Sequence, residues 1–310
     1  MIPMSENLPL VSVVMINYNG LPWLEESVES VLACTKVNFE LVIVDDCSKD
    51  NSRAYLTTLA SENQHVVPVF LKENQGISGA RNAGIDAARG TYVSIIDSDD
   101  LFLPDTLTRQ IESFERLRAV SPDLSLLTSD AWLINEAGER KGRYISREWW
   151  DRETCENPPL WTLPSTFFFR KEHSARFHPG YRSADAPIFI SRMQKLGPIG
   201  FVGEPLVDYR LRMSSVTNDR GDQMLREMAA AERSRATDRL QNPLEASEVP
   251  ARNWREVATW VHGRNAKNAA ANGFRMRAAK ELAFALAASP RKTLSKLARA
   301  FTTVGRRFTR

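Results

Sequence analysis

Three cysteines in 310 residues, Cys34, Cys47 and Cys155, are too few and too scattered to frame a disulfide scaffold. No CxxC pair or Cys/His cluster accompanies them, which excludes a structural zinc site of the usual kind. That cysteine usage suits a reducing compartment, so a cytoplasmic location is expected. Histidine is also scarce, at four residues. His173 and His178 have no spacing that suggests a metal or nucleophilic site, and a surface or core position accounts for each. The opening MIPMSENLPLVSVVMI lacks a basic n-region and is broken by polar residues, unlike a signal peptide. No run of about 18 apolar residues occurs, so no membrane-spanning helix is expected. Neither GxGxxG nor a P-loop glycine pattern is present.

Net charge is only +3, but the charge is unevenly spread. Residues 1–223 hold 23 basic and 31 acidic side chains, giving −8, and residues 224–310 hold 18 and 7, giving +11. A basic tail on an acidic body points to a polyanionic partner.

The first hundred residues alternate between two patterns. Val11–Ile16, Phe39–Val44, Val66–Leu71 and Tyr92–Ile96 are short β-branched runs without helical spacing, as in strands buried on both faces. Between them Leu24, Val28, Val31 and Leu32, then Ser52 to Leu59, then Ala80–Ala88 read as helices, the last following a loop at Asn74–Gly79. This alternation predicts an α/β fold with a parallel sheet flanked by helices. Ligands of such sheets sit beyond the carboxyl ends of the strands. Asn17-Tyr18-Asn19-Gly20, Asp45-Asp46 and Asp97-Ser98-Asp99-Asp100 each close a strand, so three polar clusters should converge on one crevice. Further on, strands are expected within 122–135, at Thr166–Phe169 and at 204–212, with a Trp- and Pro-rich loop or lid at 148–164. Residues 222–239 and 252–310 have helical periodicity. Two domains are expected, 1–217 and a helical region 218–310.

Three carboxylates within Asp97–Asp100 would repel one another in a dry site. A hard Mg²⁺ or Mn²⁺ ion resolves that conflict, since it takes one or two carboxylates together with substrate phosphates. The competing reading is a solvated turn, with Asp100 capping a helix near Pro104–Leu117. Asp45 and Asp46 either close a turn or accept hydrogen bonds from a nucleoside. Arg81 follows Gly76-Ile77-Ser78-Gly79 where a helix begins, a position suited to phosphate or to an ordinary surface ion pair. Trp149, Trp150 and Trp161 can stack on sugar rings or simply pack.

In order along the chain, VSVVMINYNG, FELVIVDDCSKDNS, ENQGISGARNAGIDAARGTYVSIIDSDD and LFLPDTL resemble the N-terminal half of family 2 glycosyltransferases with the GT-A fold. The likeness resumes at Ala184–Gly197 and GEPLVDYRLRMSSVT, so it covers roughly residues 10–217. It implies a Rossmann-like, mostly parallel sheet and a metal-dependent, inverting transferase using a nucleotide-diphospho-sugar, with a UDP-sugar as the default. By the same resemblance Ile16, Asn17, Tyr18 and Asp45 or Asp46 hold the base, and Arg81 lies near the nucleotide or its phosphates. Asp97, Ser98 and Asp99 form the DxD element, whose two acids take Mn²⁺ or Mg²⁺.

The acceptor is expected to be a saccharide or lipid-linked saccharide of cell-surface polysaccharide or glycolipid synthesis. Two departures from the family stand out: Asn17 occupies a position where members often carry Pro, and Ser183-Ala184-Asp185-Ala186-Pro187 offers a single acid where they carry Glu-Asp. Asp185 is thus the candidate base, aligned with the first acid if Arg192 sets the register and with the second if one residue is inserted. It would otherwise cap the helix Pro187–Lys195. The QxxRW signature of processive synthases is absent. A nucleotidyltransferase and a catalytically lapsed sugar-nucleotide-binding or membrane-surface protein are the alternatives; the missing second acid favours the latter.

Residues 262–310 carry 12 Lys/Arg against one acid, Glu281. Leu294, Leu297, Phe301, Val304 and Phe308 recur at helical spacing between cationic flanks, the pattern of a helix lying on an anionic membrane surface. The same pattern fits helices packed on the catalytic domain; no nucleic-acid-binding motif accompanies the charge. At about 1 kcal/mol per basic residue, surface binding would be reversible and salt-sensitive. Co-sedimentation with anionic vesicles at low salt is expected for the full chain and not for residues 1–289. A full chain left in the supernatant would make the tail structural.

Overall fold

The computed structural model describes residues 8–21, 23–144, 154–155, 162–179 and 185–212. Four strands open the chain: β1 (Val11–Asn17), β2 (Phe39–Asp45), β3 (Val66–Phe70) and β4 (Tyr92–Asp97). Every residue of β2 is buried and β1 is nearly so, which explains the absence of polar–apolar alternation. Helices α1 (Trp23–Leu32), α2 (Ser52–Glu62) and α3 (Gly76–Ala87) separate them. After β4 come β5 (Leu101–Phe102), α4 (Thr106–Arg118), β6 (Leu126–Ile134), β7 (Arg140–Arg143) and β8 (Thr154–Cys155). A 3₁₀ turn at Pro164–Thr166, β9 (Phe168–Arg170), a second 3₁₀ turn at Lys171–His173, α5 (Asp185–Gln194) and β10 (Ile199–Arg210) follow.

The sheet runs β3-β2-β1-β4-β9-β6-β10-β5, with β7 beside β6 and β8 beside β10. Strands β3, β2, β1 and β4 are mutually parallel. Short β9 is antiparallel to both β4 and β6, so β6 runs in the same sense as β4, and β10 is parallel to β6. Six strands therefore end on one edge. Register brings the edge residues side by side: Asn17 faces Asp45, and Ile16 faces Asp97.

Successive residues of the central strands face two separate cores. Val13, Met15, Leu41 and Ile43 pack with Leu24, Val28 and Val31 of α1 and Phe114 of α4. Val14, Val42 and Val44 pack with Ala80 and Ile85 of α3 and with Phe189, Ile190 and Met193 of α5. The result is a helix–sheet–helix sandwich. Helix α3 lies close to the sheet: a Cβ on Gly84 would stand 2.3 Å from Val14 Cγ1 and 3.1 Å from Val44 Cγ2. Small residues along GARNAGIDAA make that approach feasible.

Some boundaries depart from the sequence reading. Helix α3 starts at Gly76 rather than Ala80, because the Asp46 carboxylate accepts the N–H groups of Gln75 (2.7 Å) and Gly76 (2.9 Å). Strand β10 begins five residues before Glu204, its register against β6 shifting between Val202 and Pro205 and again before Val207. The Gly203-Glu204-Pro205 break hides that continuity. Helix α4 is preceded by Asp105, so Asp100 does not cap it. The described residues up to Ile134 and from Gly138 to Arg210 form one compact unit. The helical region expected over 218–310 lies outside the described residues.

At the opposite edge, buried Glu40 ties β1 and β2 to the segment after α3. Its Oε1 accepts Ser12 Oγ–H (2.6 Å) and the Arg89 backbone N–H (2.6 Å), while Oε2 accepts Arg89 Nε–H (2.7 Å). Removing this acceptor strands the buried Ser12 hydroxyl, which costs about 1–3 kcal/mol. Urea unfolding of Glu40→Ala should show that loss, and unchanged stability would mean that water replaces the carboxylate.

Candidate active site

Asn17, at the end of β1, gives its amide N–H to Asp45 Oδ1 (3.2 Å) and Ser48 Oγ (3.2 Å), and its backbone carbonyl accepts Asp46 N–H (2.8 Å). Asp45 is fully buried, accepts Ser48 N–H (3.1 Å) and pairs with Arg53 (3.4 Å). Asn19 and Cys47 both adopt positive φ, 52° and 63°, a conformation unusual without glycine. Two strained turns thus meet here, with Asn19 Oδ1 accepting Lys49 N–H (2.7 Å) across them. Among the described residues the buried Asn17 Oδ1 atom has no hydrogen-bond partner. Tyr18 next to it is half exposed.

The acidic loop after β4 is clamped from three directions. Ser165 Oγ accepts Asp97 N–H (3.1 Å) and donates to Asp100 Oδ2. Ser27 of α1 donates to the Asp100 carbonyl (2.7 Å). From β10, Arg210 gives its backbone N–H to Asp100 Oδ1 (2.9 Å) and its Nε–H to the Asp99 carbonyl (3.0 Å). Its guanidinium also reaches Glu26 (2.6 Å) and lies 4.5 Å above the Trp23 ring. Burial, with Asp99 and Asp97 adding repulsion, pushes the Asp100 carboxyl well above the usual carboxylate range. Asp100 therefore serves as a buried anchor, while Asp97, Ser98 and Asp99 remain partly exposed.

Arg81 joins residues that are distant in sequence. Its Nη2 donates to Asp97 Oδ1 (2.6 Å) and its Nη1 to Asp185 Oδ2. The arginine side chain is 3% exposed, that of Asp185 9% and that of Asp97 26%. Phe177 lies against the guanidinium at 5.2 Å. Asp185 is the first residue of α5, two before the expected Pro187. Burial raises its carboxyl above the ordinary value, Arg81 opposes that rise and Asp97 adds to it. The surface ion pair considered for Arg81 is excluded, because its pairing is internal.

Of the residues singled out from sequence, Ile16, Asn17 and Asp97 line adjacent strand ends, Asn17 and Asp45 bond directly, and Arg81 holds Asp97 and Asp185 together. Asp46 is drawn instead to the N-terminus of α3. Trp149, Trp150, Trp161 and Ser183-Ala184 lie outside the described residues, as does most of the expected lid. Glu26, Ser165 and Arg210 were not anticipated. An arginine closing the strand-like stretch EPLVDYRLR was the available signal for Arg210. Among the described residues no three His, Cys, Asp or Glu side chains form a metal cluster. Asp97 and Asp99 supply a two-carboxylate oxygen set, which fits a hard cation that keeps its other positions for water and phosphate.

Residues 12–156 match the family model "Glycosyl transferase family 2". The chain is 40% identical over 104 residues to the putative teichuronic acid biosynthesis glycosyltransferase TuaG of Bacillus subtilis, covering 34% of this chain and 41% of that protein. It is 35% identical over 176 residues to the succinoglycan biosynthesis protein ExoO of Rhizobium meliloti, covering 56% and 47%. The matches thus span less than half of either relative. Among solved structures, S. aureus TarS 1-349 in complex with UDP aligns with a TM-score of 0.54 at 18% identity, over 86% of this chain and 90% of that one. The mannosyltransferase PcManGT from Pyrobaculum calidifontis, in complex with GDP-Man and Mn2+, aligns with a TM-score of 0.54 at 17% identity, over 96% and 81%. These two likenesses give the GT-A fold.

The clamp on the acidic loop is open to test. Arg210→Met keeps the aliphatic stem and removes the bonds to Asp99 and Glu26, for an expected loss of about 1–3 kcal/mol. Amide exchange at residues 98–101 should quicken in the variant. Exchange equal to that of the wild type would show that the loop is held without Arg210.

Proposed function

The chain belongs to the family 2 glycosyltransferases, and from that premise we propose that it is an inverting transferase, moving a sugar from a nucleotide-diphospho-sugar to an acceptor hydroxyl. The observation that carries this reading is the meeting of Asp97 and Asp185 on one buried arginine at the carboxyl edge of the sheet. A donor-side acid and an acceptor-side acid then lie within reach of a single reacting centre. Asn17, Tyr18 and Asp45 form the floor for the base. Asp46 shapes that floor through α3. Ser98 lies beside Gly20 at the mouth. UDP is the default nucleotide, in keeping with the UDP complex of TarS, while PcManGT holds GDP-Man.

Asp97 and Asp99 would hold Mn²⁺ or Mg²⁺ together with the donor diphosphate. A cation held there would supply Lewis-acid stabilisation of the departing diphosphate. Asp185 takes the proton of the acceptor hydroxyl, whose oxygen attacks the anomeric carbon from the face opposite the nucleotide. Its raised affinity for a proton suits that role better than an ordinary exposed aspartate would. The acceptor is proposed to be a saccharide or lipid-linked saccharide of cell-surface polysaccharide synthesis, in line with the names of TuaG and ExoO. No helix among the described residues is long and apolar enough to cross a membrane. Attachment to an anionic membrane surface through residues 262–310, which lie outside the described residues, is part of this proposal, and packing of that segment on the catalytic domain is its alternative.

A panel of labelled nucleotide-sugars with Mn²⁺ and water tests the reading. Slow donor hydrolysis that stops with EDTA and with Asp99→Asn is expected, and Asp185→Asn should lower transfer about 10²–10⁴-fold. No hydrolysis of any donor by the wild type would favour a lapsed sugar-nucleotide-binding protein.

A further inference from the structure

We propose that Arg81 is a positioning residue that couples the donor side of the site to the base: occupancy at Asp97 sets how firmly Asp185 is held. The inference rests on the transferase reading above and concerns a linkage within it. One cation is divided between two carboxylates, with Nη1 on Asp185 and Nη2 on Asp97. Phe177 lies 5.2 Å from the fork, and the buried guanidinium has no bulk water to replace either partner. A planar guanidinium can bridge two carboxylates in a fixed geometry, which an ammonium cannot.

The three side chains differ in what they can meet. Asp97 alone among them is substantially open to solvent; Arg81 and Asp185 are enclosed. Positive charge arriving at Asp97 therefore competes with Arg81 for that carboxylate and leaves the guanidinium to Asp185. Conversely, with Asp185 neutralised, the whole of the Arg81 charge falls on Asp97 and opposes a second cation there. Linkage makes the two effects equal in free energy. Sequence spacing alone does not show this, because the partners are 16 and 104 positions away from Arg81.

Titration calorimetry of the full chain with UDP and Mn²⁺ as probes, and GDP where UDP gives no heat, tests the linkage without turnover. Asp185→Asn is expected to weaken nucleotide–Mn²⁺ binding about 5–10-fold, at the low end of ordinary coupling. In an Arg81→Met background, or Arg81→Gln if the methionine variant does not fold, the same change should alter binding less than about 2-fold, since the coupling element is gone. Unaltered binding in Asp185→Asn alone overturns the proposal, whatever the Arg81 variants do. An equal effect in both backgrounds also overturns it, because Asp185 would then act without Arg81. Wild-type protein that binds neither UDP nor GDP with Mn²⁺ would instead remove the donor-site reading on which the proposal stands.

Discussion

Carboxylates crowd the carboxyl edge of this sheet, and the arrangement depends on compensating the buried ones without bulk water. Each finds its partner in a different part of the chain. Asp45 takes donors from Asn17, Ser48 and Arg53. Asp46 takes the first N–H groups of α3, where the helix dipole adds to the attraction. Asp100 is held by Ser165 and the backbone of Arg210, and Asp185 by Arg81. An uncompensated carboxylate in such a place would cost several kcal/mol, so these cross-links are conditions of the fold as well as features of the site.

The first half of the fold was readable because its signals are local. β-Branched runs ending in Asn or Asp clusters mark parallel strands and their ligand edge at once, and the observed strands end within one residue of those runs. The site was partly readable for the same reason: Asn17, Asp45 and Asp97 lie at strand ends that register places side by side. Arg81 was noticed for its position near a helix start, yet its actual partners depend on α5 folding back over the sheet. Chain topology, not spacing, decides that meeting.

The second half was harder to read for physical reasons. Strand β10 contains Gly203 and Pro205, and its bulged register against β6 breaks the alternation that marks a strand. The 3₁₀ turn at Pro164–Thr166 replaces the start of the expected strand and presents Ser165 to the acidic loop. Arg210 ends β10 with its side chain 1% exposed, a placement that arginine tolerates only with several acceptors and an aromatic face in reach. Those acceptors come from α1 and from the loop after β4, which no window around Arg210 contains.

The same compensation sorts the acids by what they can still do. Asp45, Asp46 and Asp100 spend their oxygens on backbone and side-chain donors, and so fix the shape of the crevice. Asp97 and Asp99 keep part of their surface toward solvent, where a ligand can reach them. Asp185 is enclosed, and among the described residues its one cationic partner is Arg81, shared with Asp97. A carboxylate raised by burial and steadied by a divided charge can accept a proton while keeping its position, which a fully paired one could not. In the proposed reading, shape, ligand contact and proton transfer fall to different acids of one crowded edge, and the division follows from which donors the fold brings to each.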